Sequence, residues 1–82
     1  MKKYTRNDQF IKAVGKKIRE IRKEKGLSQQ KLADLCNLEL SQINRIELGV
    51  INTGISHIST IAEIFEIRPM ELLEVEIKKK GK

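Results

Sequence analysis

Between Ser28 and Gly49 the chain sets two short apolar rhythms on either side of a tight turn. Leu32, Leu35 and Cys36 in the first half, and Ile43 and Ile46 in the second, recur at intervals of three and four. Each set therefore occupies one face of a helix. Ser28 stands where the first of these helices begins, its side-chain oxygen suited to an otherwise unpaired N–H. Ala33 is small enough to let the two backbones cross closely. Asn37 falls where the turn needs a left-handed residue, a conformation that Asn tolerates best after Gly. Leu38 follows as the apolar plug of the turn. The second helix runs from about Leu40 to Leu48 and stops at Gly49. Glu39 precedes it, a weaker cap than Ser or Thr, although its charge suits the positive end of a helix.

The rest of the chain supplies what these helices pack against. Residues 1–8 read as a flexible basic arm, and Thr5, Asn7 or Asp8 can cap a first helix reaching about Lys25. Phe10, Ile11, Val14, Ile18 and Ile21 lie on one face of it. Gly26 ends that helix in a left-handed turn. Beyond the motif, Val50 to Gly54 form a loop, Ile55 to Phe65 a fourth helix, and Pro69 opens a short fifth through Leu72 and Leu73. Leu73 to Lys78 then alternates apolar and charged residues, the rhythm of a strand. A strand with no partner in its own chain needs one from another subunit; the alternative is an extension of helix five. No repeat or linker divides the chain. It reads as an arm (1–8), one helical domain (9–73) and an extension with a basic tail (74–82).

Eighty-two residues bury only about 60–65% of their unfolded surface, and helices with local contacts are the most economical way to do so. The net charge of +6 is unevenly spread. Residues 1–25 carry +7, residues 26–77 carry −5 and the last five +4. A basic chain suits a polyanionic partner. Because the central motif is acidic, attraction to phosphates falls to the first helix, the arm and the tail. Three aromatic residues, Tyr4, Phe10 and Phe65, argue against a surface that stacks bases. Cys36 is the only cysteine, which leaves no disulfide and no cysteine-based metal site and suits a small buried hydrophobe. His57 is the only histidine. Ser28, Ser41, Ser56 and Ser59 make no Ser–His–acid constellation with it, and no glycine-rich phosphate loop is present. No catalytic residue, metal or cofactor is expected. A polar stretch follows the first four residues where a signal peptide would be apolar, and nothing approaches membrane-spanning length. The expectation is a soluble cytoplasmic protein.

Ser28 to Gly49 has the layout of a helix-turn-helix, whose second helix normally enters a DNA major groove. It resembles the phage repressor and Cro-type (XRE-like) family of bacterial transcriptional regulators. The likeness takes in Gly15 to Gln29 upstream and Ile58, Ile61, Ala62, Phe65, Ile67, Leu72 and Leu73 downstream. It implies an all-α, five-helix lambda-repressor-like domain that binds duplex DNA. It also implies that Gln29 contacts a phosphate and that Leu40, Ser41, Asn44 and Arg45 face bases. Arg45 suits guanine and Asn44 suits adenine. Leu40 departs from the polar residues common at its position and suits a thymine methyl. Gln42, beside them, and His57, near the start of helix four, are further candidates for phosphate. An Arg in helix one pairs with a Glu ending helix three in the family's phage members, and Arg22 and Glu47 match. The family binds half-sites as two-fold dimers, which points to Ile67, Pro69, Met70, Val75 and Ile77 as a homodimer interface. A restriction–modification controller, a phage-type repressor and an antitoxin all fit. The apolar Leu48, Val50 and Ile51 leave open a second role, a protein-interaction module that retains the fold and binds a protein partner.

Overall fold

The computed structural model describes residues 6–77. The first five residues of the expected arm and the tail from residue 78 lie outside that range. Five helices follow in order: α1 (Asp8–Glu24), α2 (Gln29–Cys36), α3 (Leu40–Leu48), α4 (Ile55–Phe65) and α5 (Pro69–Leu73). Each terminus has a local cause. Asn7 caps α1, its side chain accepting from the Phe10 N–H at 3.1 Å. Ser28 caps α2 by accepting from Lys31 N–H at 3.0 Å. Asn37 (φ 59°) and Gly49 (φ 72°) close α2 and α3 in left-handed geometry. Before α3 the capping runs backwards: Gln42 Oε1 accepts from the Glu39 N–H at 3.1 Å.

The core is built from Val14 and Ile18 of α1, Leu32, Ala33 and Cys36 of α2, and Ile43 and Ile46 of α3. Ile58, Ile61, Ala62 and Phe65 of α4 and Leu72 of α5 complete it. Burial pushes the Cys36 thiol above its ordinary pKa of 9.0, so the sulfur stays protonated and inert at neutral pH.

Two glycines set the approach of α1 to α3. A Cβ on Gly15 would collide with the Ile46 carbonyl and lie 2.8 Å from the Glu47 carbonyl oxygen. A Cβ on Gly49 would lie 2.6 Å from the Lys12 Cα. Helix α1 therefore touches the end of α3 backbone to backbone, at a separation only glycine permits.

Several expectations need correction. Leu35 was grouped with the buried face of α2, yet it is exposed, because Leu32, Ala33 and Cys36 already fill the crossing with α3. Leu73, which the resemblance groups with core residues such as Leu72, is exposed, bordering an apolar groove lined also by Phe10, Ile11, Val14, Ile55 and Pro69. Residues 74–77 form neither strand nor helix. Val75, read as lacking a place within one subunit, packs against its own core. Lys17 Nζ donates to the Glu74 carbonyl at 3.4 Å and holds that segment along α1. Glu66 (φ 63°) closes α4 in left-handed geometry, with no Gly or Asn to signal it. No helix among the described residues is long and apolar enough to cross a membrane.

Candidate nucleic-acid interface

With Ile43, Ile46 and Glu47 turned inward, α3 presents Leu40, Ser41, Asn44, Arg45 and Leu48 to solvent. All four residues expected to face bases are thus on one accessible surface. Leu40 and Asn44, and Ser41 and Arg45, stand four apart, forming adjacent rows along it.

Behind that surface a buried ion pair fixes the helix. Arg22 Nε donates to Glu47 Oε2 at 2.7 Å and Arg22 Nη2 to Glu47 Oε1 at 3.2 Å. The side chains are only 9% and 1% exposed. Arg22 Nη1 spends its remaining reach on the Leu27 carbonyl, 2.7 Å away, at the turn into α2. Gln29 Nε2 donates to Glu47 Oε1 at 2.9 Å and reaches Asn44 Oδ1 at 3.4 Å. One carboxylate therefore binds α1, α2 and α3 together. No side-chain nitrogen or oxygen buried among the described residues lacks a partner. A desolvated charge pair with this geometry is of the charge-assisted, two-pronged kind.

Gln29 is half-buried, its amide already engaged. Its own N–H and that of Gln30 open α2 and have no partner within the helix, at the end where the helix dipole is positive. Gln42 is half-buried and committed to the cap of α3. His57 sits apart, in the first turn of α4, with Nδ1 3.1 Å from Thr53 Oγ1. It is not among the residues gathered around α3. Of the expected dimer residues, Pro69 and Met70 are exposed, whereas Ile67 and Val75 pack against the core and Ile77 is half-buried.

Two residues not singled out from the sequence belong with this surface. Lys16 and Arg19 are exposed and line a cleft with Ser28, Gln29, Asn44 and Leu48. Lys12, Lys16, Arg19 and Lys23 recur at intervals of four, three and four, a basic stripe along α1. The Lys12 end of the stripe lies against Gly49 at the end of α3. That spacing was legible; which helix lay beside it was not. The cleft thus brings together Lys16 and Arg19 of α1, the open N-terminus of α2, and Asn44 and Leu48 of α3.

Five helices around a buried Arg–Glu tie, with α3 held outward beside a basic stripe, define a helix-turn-helix domain of the repressor type. The helix-turn-helix family model matches residues 18–72, and the chain belongs to this family of DNA-binding transcriptional regulators. It is 38% identical over 61 residues to the control protein C.BamHI of Bacillus amyloliquefaciens, covering 73% of this chain and 75% of that protein. Among solved structures it is similar to the restriction-modification controller protein C.AhdI from Aeromonas hydrophila. There the TM-score is 0.74 and the identity 37%, over 76% of this chain and 94% of the other. It is also similar to SinR, a master regulator for biofilm formation solved in complex with DNA. That match has a TM-score of 0.71 and 27% identity, over 74% of this chain and 98% of the SinR chain in that complex.

Proposed function

We propose that this regulator binds an inverted-repeat operator as a symmetric dimer and that each subunit reads one half-site with α3. The observation that carries the reading is the convergence of Lys16 and Arg19, the α2 N-terminus, and Asn44 and Leu48 of α3 on one cleft, with Leu40, Ser41 and Arg45 exposed on the same helix. Lys16 and Arg19 contact phosphates, with the first N–H groups of α2, and set the register of the helix without reading sequence. Arg45, Asn44, Ser41 and Leu40 meet base edges, and Arg45 takes guanine through its O6 and N7 atoms. The acidic middle of the chain is tolerable because its most deeply placed acid, Glu47, is neutralised within the fold by Arg22.

A single short recognition helix offers too few base contacts to select a site in a genome, whereas two on one face of the duplex do so. The dimer face is the α4–α5 side. There Ile55 is 86% exposed and lines an apolar groove with Pro69 and Leu73, and Met70 of α5 is exposed as well. The protein acts in the cytoplasm, on chromosomal DNA, as a repressor or autoregulator. Similarity to two control proteins favours a controller of restriction and modification over a phage-type repressor or an antitoxin.

Selection of bound sequences from random duplex DNA tests this reading. The expected product is a two-fold symmetric motif with half-site centres about 34 Å apart, or one helical turn. Failure to enrich any sequence, or enrichment of a single asymmetric site, overturns it.

A further inference from the structure

Of the four α3 residues expected to face bases, one has a side chain that can neither donate nor accept a hydrogen bond. Leu40 is 42% exposed at the first position of α3, with polar Ser41 beside it and polar Asn44 one turn on. The core does not require it. Leu38 and Ile43 fill the space on either side, and Leu40 belongs neither to the buried cluster nor to the residues packed against it. Capping does not require it either, because Gln42 closes the Glu39 N–H. Leu35, in the last turn of α2 just before the turn into α3, is likewise exposed and unpacked. The start of the recognition helix therefore holds an exposed apolar side chain, Leu40, where docking of this motif places base edges. Of the groups lining a major groove, one is apolar: the methyl group on C5 of thymine.

We infer that Leu40 reads a pyrimidine 5-methyl group, so that cytosine-5 methylation at one position of each half-site strengthens operator binding. The inference rests on the DNA-binding reading above. 5-Methylcytosine carries its methyl on the same ring atom and in the same groove as thymine. To an apolar side chain that makes no hydrogen bond, the two bases offer the same group. Uracil and unmodified cytosine lack it and leave Leu40 against water. Removing one methyl from the contact lowers affinity about fourfold, and removing it from both half-sites about fifteenfold. Within a symmetric site the regulator thus reports the methylation state of the DNA it occupies, without any dedicated cofactor.

The test uses the full chain and an operator obtained by selection, with deoxyuridine replacing each thymine in turn. This substitution deletes the methyl and leaves every hydrogen-bonding edge intact. One thymine per half-site is expected to show the fourfold loss. Cytosine placed there is expected to regain the same factor on 5-methylation. In Leu40→Ala, whose melting temperature should be unchanged because the residue is exposed, both ratios fall to near one. Sensitivity at the remaining contacts persists. A uracil scan flat at every thymine overturns the inference, and so does a sensitive position that Leu40→Ala leaves unaltered. Absence of binding to any duplex would instead refute the DNA-binding reading itself.

Discussion

Replacing Arg22 by Met leaves Glu47 as a carboxylate that is 1% exposed and has lost its cation. Among the described residues Gln29 Nε2 then remains as its only side-chain donor, and the Leu27 carbonyl loses the Arg22 donor that closes the turn into α2. Stripping one partner from a buried pair costs about 3–5 kcal/mol, because the survivor's charge is neither solvated nor neutralised. A domain of this size has total stability of only about 4–12 kcal/mol. The single substitution therefore removes a quarter or more of it and lowers the melting temperature by roughly 12–40 °C. In the double variant Arg22→Met/Glu47→Leu no buried charge is left, and apolar contact between α1 and α3 replaces the pair. Stability in that variant should return to within about 1–2 kcal/mol of the parent. Urea unfolding followed by circular dichroism measures all three proteins. A loss below about 1 kcal/mol in Arg22→Met, or a double variant no better than the single one, refutes the argument that desolvation of Glu47 governs the effect.

Arg45→Ala should abolish the preference for one base pair in each half-site, worth about 1–3 kcal/mol, and leave the melting temperature unchanged; competition against singly substituted operators checks this. Lys16→Gln combined with Arg19→Gln should weaken all duplexes alike. The slope of log affinity against log salt should then flatten by up to about 0.9 for each lost phosphate contact. Glu66→Gly should stabilise the protein by roughly 0.5–1 kcal/mol, because glycine accepts the left-handed φ of 63° at the end of α4 without a Cβ penalty. Thermal unfolding decides it, and an unchanged or lower melting temperature counts against strain at that position.

Helix boundaries were legible because their causes are local. Asn7, Ser28, Asn37, Gly49 and Pro69 each act within three or four residues, and the structure uses all of them as the sequence suggests. Glu66 was not legible: the backbone there follows the packing of Phe65 and Ile67, and no residue preference announces it. The role of Gly15 also escaped notice, since its smallness matters only against the α3 carbonyls 31 and 32 positions further along the chain. Periodicity overstated burial at Leu35, because a helical rhythm marks a face but not how wide a strip its neighbour covers, and the family resemblance overstated it at Leu73. For Val75 the error ran the other way. A two-residue rhythm suggested a strand, while the chain at Glu74 is held to Lys17 of α1 and Val75 packs partly buried against the core. In the candidate interface, α3 spacing left Leu40, Ser41, Asn44, Arg45 and Leu48 outward, and the family resemblance marked the first four as facing bases. Lys16 and Arg19 joined them only once the angle between α1 and α3 was known.

The central claim is that the outer face of α3, flanked by the basic stripe of α1 and the start of α2, is the surface that meets DNA. Amide chemical-shift mapping of nitrogen-15-labelled protein titrated with its selected operator addresses it directly. The account predicts the largest shifts at Lys16, Arg19, Gln29 and Gln30 and from Leu40 to Arg45. Ile61, Ala62 and Phe65 in the core of α4 should move little. Shifts confined to α4 and α5, with α3 silent at saturating DNA, would contradict it.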